Sequence, residues 1–286
     1  MSYRRFMMNQ QSGQNRGRRA RGPQYDPDAV IFFGNLDFAT PEYTDAEVKK
    51  QVNDLAVRYK DMGTWDDKLW IFPNVGGTME TIQRSLKNFD LFSKFYPNSA
   101  TFNWEGDSYD GINQYSTCGC YPGLQMSSYS LCTRYFVKQA TFGADDYSPL
   151  GQEVGLIIDH FFNNRLFVVL GRGNAPAHVW VLNPAPFGKL MAINYYDFDT
   201  VDYWQDGVKA GTQIDDVRGY LPPLDPSDPA AQLYLSATNH TNTPITLAPF
   251  TYFYQDFGMA MQDADLASDD DYLKNVFCPA LSKIPD

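Results

Sequence analysis

No apolar run in this 286-residue chain is long enough to cross a membrane as a helix, so no membrane span is expected. Histidine is nearly absent, with three in all, and cysteine is scarce, with four. Four thiols fall far short of the density of a disulfide-stapled secreted scaffold. No secretory leader is legible. Tyr3-Arg4-Arg5-Phe6 is similar to the start of a twin-arginine signal, but residues 9–22 are polar and basic where an apolar stretch is required. The expectation is cytosolic synthesis with reduced thiols and no disulfides. No serine sits in a Gly-x-Ser-x-Gly elbow, and no segment repeats at a period of 20–50 residues. The first 22 residues contain no acid at all.

What is present is aromatic and turn-rich. Aromatics make up 15% of the chain, and 21 Gly and 18 Pro punctuate it, which favours short strands and many turns over long helices. The net charge of −11 is unevenly spread. Arg4, Arg5, Arg16, Arg18, Arg19 and Arg21 give the first 22 residues a charge of +6, and the remainder carries −17. Low complexity and high charge predict a disordered arm over residues 1–25, because such a segment buries too little surface to offset its ordering entropy. Residues 26–286 read as a single β-rich body with a helical insertion at about 41–95, and Tyr25-Asp26-Pro27 marks its edge.

Within the body, Val30 to Phe38 reads as a first strand. Thr44 and Glu47 have the spacing of a capping box, and Val48, Val52, Leu55, Ala56 and Tyr59 form one helical stripe that should end near Gly63. Lys68 to Phe72 reads as a strand. A second helix is expected from Thr78, with Ile82, Leu86 and Phe89 facing inward. Beyond residue 100 the pattern changes to short apolar runs, at 100–104, 131–142, 153–162, 165–171, 178–183, 190–198, 232–237 and 244–255. The strongest local prediction is a hairpin: Leu156 to Phe162, then Asn163-Asn164, then Arg165 to Leu170. Paired asparagines tolerate the positive φ that a type I′ turn needs. Residues 221–229, rich in proline, suit a loop and not a strand interior. Ser268 to Leu281 reads as a helix, capped by Ser268, with Asp269, Asp270 and Asp271 in its positive first turn. The fold class is mainly β, a β-sandwich or jelly roll with two or three short helices.

The chemistry-bearing residues have ordinary readings. Cys118, Cys120 and Cys132 would offer zinc three thiolates, but without Cys-x-x-Cys knuckles or a nearby fourth ligand they read as buried thiols. Asp263, Asp265, Asp269, Asp270 and Asp271 resemble a calcium loop, yet Ala267 and Ser268 stand where an acid and a glycine are needed. His160 and His178 lie in apolar strands. Gly171-Arg172-Gly173-Asn174 lacks a phosphate loop's third glycine, and Pro176 blocks a helix after it. Glu105 with Asp107, or Asp145 with Asp146, are acids that any acidic surface supplies. Asn239-His240-Thr241 matches a glycosylation sequon by chance. No enzyme activity, metal or cofactor is expected. The six arm arginines are the exception: guanidinium forks bind phosphate bidentately, so the arm should contact nucleic acid.

A short Arg-rich arm (Arg4 to Arg21), a Pro-containing junction (Tyr25-Asp26-Pro27) and an aromatic-rich β body resemble jelly-roll capsid proteins of small icosahedral viruses. The resemblance implies a structural virion protein. It would be a self-assembling capsid or minor capsid subunit, made in the host cytoplasm, which meets other copies or other capsid proteins through its body and packaged nucleic acid through its arm. The body's acidity and the arm's modest charge depart from that pattern. The alternative is a β-sandwich module that binds carbohydrate or protein through exposed aromatics, with Tyr195, Tyr196, Tyr203 and Trp204 as candidates. A hydrolase is the third reading.

Overall fold

The long helix forms where its cap and stripe predict. In the computed structural model, which describes residues 24–98, 100–103, 106–110, 113–118, 131–139, 147–152, 158–162, 165–170, 178–182, 189–196, 200–214, 234–235, 238–240, 243–245 and 250–281, helix α2 spans Asp45–Asp61. Thr44 Oγ1 accepts from Glu47 N, and the Glu47 carboxylate accepts from Thr44 N, so both halves of the capping box are made. The stripe from Val48 to Tyr59 is buried, and Gly63 has φ +75°. Strand β1 is Lys68–Phe72, as expected.

Two early segments differ from their sequence reading. Val30 to Phe38 is not a strand: its later residues form a turn and irregular chain, and its first four end helix α1 (Pro27–Phe33). Asp26 caps it by accepting from Asp28 N, and Pro27 supplies a preset first-turn φ. The helix after Thr78 is a single turn, α3 (Met79–Ile82). The chain then leaves the helix to join β1: Leu86 N donates to Ile71 O, and Ile71 N donates to Ser85 Oγ. Ile82 and Leu86 are buried, but Phe89 is only half-buried, with its ring under the Arg84 guanidinium.

Sixteen strands among the described residues form two eight-stranded sheets, antiparallel except for one pair, in a β-sandwich-type fold. The first sheet runs β12 (Val208–Ile214), β11 (Thr200–Gln205), β10 (Leu190–Tyr196), β5 (Leu131–Gln139), β16 (Phe250–Met259), β3 (Gly106–Ser108), β2 (Thr101–Asn103). Strand β1 pairs with the far end of β16, beyond β3. The second sheet runs β15 (Thr243–Ile245), β14 (Thr238–His240), β6 (Tyr147–Gln152), β7 (Ile158–Phe162), β8 (Arg165–Leu170), β9 (His178–Leu182). Two short strands, β13 (Tyr234–Leu235) and β4 (Ser116–Thr117), extend it. Phe162 pairs with Arg165, so the predicted β7–β8 hairpin closes through a two-residue connection. The run read as 244–255 is two strands, β15 and β16, in different sheets. A hairpin that the sequence reading passed over joins β11 to β12 through Asp206 and Gly207, both at positive φ as a type I′ turn requires.

The inner strands of the first sheet, β10, β11, β5 and β16, are buried on both faces, whereas the edge strands β12 and β2 are exposed or half-buried. One face packs on α1, α2 and the C-terminal segment, where Phe32, Phe38, Val52, Leu55, Phe136, Phe253 and Phe277 belong to one apolar cluster. The opposite face carries Thr133, Ile193, Val201 and Tyr203, also buried. Double burial corrects the exposed-aromatic expectation: Tyr195, Tyr203 and Trp204 are buried, and Tyr196 is half-buried. The C-terminal helix also starts earlier than Ser268. Helix α4 is Asp263–Tyr272, followed by a π-helical turn, Leu273–Phe277, and the short α5, Cys278–Ala280. Ser268 lies inside α4 and does not cap it.

Candidate functional site

The residues singled out from sequence scatter over this fold. Arg4, Arg5, Arg16, Arg18, Arg19, Arg21, Cys120, Glu105, Asp145, Asp146, Gly171 to Asn174 and residues 221–229 lie outside the described residues. Cys118, Cys132 and Cys278 are buried and form no disulfide with one another. Burial pushes the Cys132 thiol up to about 12, so it stays protonated and inert. Among the described residues no group of three or more His, Cys, Asp or Glu side chains is placed to hold a metal ion. The calcium-like aspartates are divided: Asp263 and Asp271 are exposed, whereas Asp269 and Asp270 are fully buried under the sheet.

What buries them was not legible in the sequence. Register places Arg134 on β5 directly opposite Asp256 on β16, both facing α4. Arg134 Nε and Nη2 donate to the two Asp256 oxygens, and Nη1 donates to Asp269 at 2.5 Å and Asp270 at 3.3 Å. Lys68 Nζ reaches Asp256 at 3.2 Å from β1. Arg134 Nη2 also donates to the Tyr59 hydroxyl at 2.8 Å. Tyr254 spends its proton on Asp256, so Tyr59 is the donor in the 2.6 Å contact between the two hydroxyls. All these side chains are buried. Burial opposes ionisation of Asp256, but Arg134 and Lys68 outweigh it and hold its carboxyl below the usual range. Burial likewise opposes charging Arg134, and Asp256 and Asp269 more than reverse that.

A second buried pair lies beyond β3. Lys94 Nζ donates to Asp107 and to Asn74 Oδ1, each at 2.8 Å. The hydroxyls of Tyr96 and Tyr109 donate to the same Asp107 oxygen at 3.0 and 2.7 Å. Burial lowers the Lys94 pKa and raises both tyrosines. An ammonium and two phenols thus converge on one Asp107 oxygen, Oδ2.

Outside these locks, an open groove of about 260 Å³ is lined by Ala39, Thr40, Pro41, Gly76, Gly77 and Asn103. Its parts are fixed from behind. Thr40 Oγ1 accepts from Tyr43 N, which leaves the hydroxyl proton to donate. Asn103 Oδ1 accepts from Gly106 N at 3.1 Å. Gly76 has φ +87°, and a Cβ there would meet Thr81 Oγ1 at 2.7 Å. The volume falls below the roughly 300–1,000 Å³ of drug-sized pockets and suits one ring or one side chain.

No protein-family model matches the chain, and neither does any curated protein. Solved structures do match it. The binding domain of botulinum neurotoxin DC, in complex with rat synaptotagmin II, superposes with a TM-score of 0.53 at 10% identity over 74% of this chain and 52% of that one. Botulinum neurotoxin type C, described as dependent on two ganglioside molecules to enter cells, matches at 0.53 and 10% over 73% and 52%. A mutant Trypanosoma rangeli sialidase with trans-sialidase activity matches at 0.54 and 11% over 78% of this chain and 39% of that one. At such identities the likeness is one of fold. The chain spans about half the length of the toxin chains it matches.

Proposed function

We propose that this chain is a β-sandwich recognition module that binds a carbohydrate or protein ligand without transforming it. The observation that carries the reading is the fold likeness over about three quarters of the chain to a toxin binding domain described with a protein and to a toxin described with gangliosides. The engagement of Asp107, Asp256 and Asp269 in internal pairs adds support, because it gives these acids a part in holding the fold together. The groove at Ala39 and Asn103 is the contact point. Screening the full-length chain on a glycan array, with sialylated oligosaccharides included, should give a saturable ligand. Ala39→Trp, at an exposed position on the rim, should weaken that ligand about tenfold or more, about 1.4 kcal/mol, with thermal stability unchanged. Full binding by Ala39→Trp would remove the groove from the reading. A chain that binds nothing on the array and sediments as large closed particles would return it to the capsid subunit.

The arm carries a separable proposal. Arg4, Arg5, Arg16, Arg18, Arg19 and Arg21 contact phosphate, because six forks without an acid suit a polyanion that the acidic body repels. Deleting residues 2–24 should leave a folded body whose 260/280 nm absorbance ratio no longer reports co-purifying nucleic acid. Retention of nucleic acid by the deleted chain would place the contact on the body.

A further inference from the structure

Helix α4 has an unusual attachment. Its sequence, DADLASDDDY, contributes one large aliphatic side chain to the interior, Leu266, against Trp204, Met261 and Cys132. Ala267 and Tyr272 pack at the margins of the two apolar clusters, and the rest of its hold is ionic. Lys209 pairs with Asp263 at 2.7 Å, Arg134 with Asp269 and Asp270, Arg58 Nε approaches Asp269 at 3.5 Å, and Lys274, just beyond the helix, pairs with Asp206 at 2.8 Å. A helix held in large part by charge has a docking free energy that depends on protonation.

The buried charges do not balance. Two cations, Lys68 and Arg134, are fully buried with three carboxylates, Asp256, Asp269 and Asp270. Asp256 takes Lys68 and one edge of Arg134, and Asp269 takes the short Arg134 contact. Arg58, a quarter exposed, leans toward Asp269 and spends its Nη2 on Ser268. Asp270 is left with one 3.3 Å contact, and its Oδ2 has no hydrogen-bond partner among the described residues. An unpaired anionic oxygen in such a place costs more than a neutral one.

We propose that Asp270 is protonated in the docked state and that α4 is a clasp which acid tightens and rising pH loosens. The groups facing Asp270 agree. Cys132 and Arg134 on β5, Asp256 on β16 and Asp269 on its own helix act on it directly, Lys68 on β1, Tyr254 on β16 and Arg58 and Tyr59 on α2 belong to the same network through Asp256, Asp269 and Arg134, and the Asp206–Lys274 pair flanks the turn whose Gly207 lies against the Asp270 Cβ. Burial lifts the Asp270 carboxyl to about 7, with Arg134 opposing and Asp269 reinforcing the shift. Released into water it returns to an ordinary carboxylate, so the open state binds fewer protons than the closed one. Opening therefore becomes easier as pH rises from about 4 to about 7 and levels off above that.

Cys132, beneath α4, reports the opening, and Cys118 beside Lys94 is the control. The full-length chain is alkylated across this range, labelling at each cysteine is read by mass spectrometry, and rates are normalised to those of the unfolded chain. Normalised labelling of Cys132 should rise by about tenfold or more from about pH 5 to pH 7 and then flatten, while Cys118 stays protected. In Asp270→Asn, which mimics the protonated side chain, the rise should vanish. A flat wild-type profile, a parallel rise at Cys118 or an unchanged slope in Asp270→Asn would each overturn the clasp. If Asp270→Asn does not fold, the wild-type profile decides alone.

Discussion

Replacing Arg134 with methionine should yield a chain that fails to reach a stable fold at neutral pH. Methionine matches much of the side chain's bulk, so the loss is one of charge and hydrogen bonds. Arg134 donates to Asp256, Asp269, Asp270 and Tyr59, all buried. Its removal leaves Lys68 as the one fully buried cation among three carboxyl groups, and orphaning one partner of a buried pair costs about 3–5 kcal/mol. That is a large share of the roughly 5–15 kcal/mol available to a domain. The sign with pH is fixed. Without the guanidinium the buried carboxyls shift upward, the folded state binds more protons than the unfolded one, and stability returns as pH falls. Soluble yield and urea midpoints at about pH 5 and pH 7 check this. A variant as stable as wild type at neutral pH would mean that the carboxylates do not need the cation.

Gly106→Ala should shift the thermal midpoint down by on the order of 5–10 °C, from a loss of about 3 kcal/mol. Gly106 opens β3 at φ +153°, and a Cβ there would sit 1.8 Å from the Tyr252 carbonyl oxygen. That oxygen belongs to the backbone and is already engaged by Asn74 Nδ2 at 2.9 Å, so relief requires β3 to move off β16. Asp107 would move with it, away from Lys94, Tyr96 and Tyr109. Gly63→Ala is the control. Its φ of +75° makes alanine strained, but nothing lies within 4 Å, so the cost is the backbone term alone, about 1 kcal/mol. Differential scanning calorimetry of the two variants separates the effects, and equal shifts would contradict the close approach at Gly106.

Local signals in the sequence were read well where the partner is near. The capping box of α2, strand β1 and the β7–β8 hairpin each rest on residues a few positions apart. Helix α1 was misread because Val30-Ile31-Phe32-Phe33 has strand-like composition over a length at which period does not discriminate. Asp26-Pro27 carried the correct start signal. Asp206-Gly207 was an equally clear turn signal for the β11–β12 hairpin. The buried network was not legible, because nothing near Arg134 in sequence marks it as charged among apolar neighbours by design. Its carboxylates lie 122 to 136 positions away. Likewise Asp269 and Asp270 pattern as a solvated helix start until the opposing guanidinium is in place.

The position of β16 has a consequence for how the molecule is made. This strand joins β5 on one side and β1 and β3 on the other, yet in sequence order it follows every other strand among the described residues. Lys68 waits 188 residues for Asp256, and Arg134 waits 122. At about 5–20 residues per second, the first delay is roughly 10–40 s on the ribosome. During that interval the nascent chain displays β-strands with open edges and unpaired cations, while the high contact order of the sheet forbids an early nucleus across it. Expression of this protein should therefore respond steeply to chaperone supply and to slower translation.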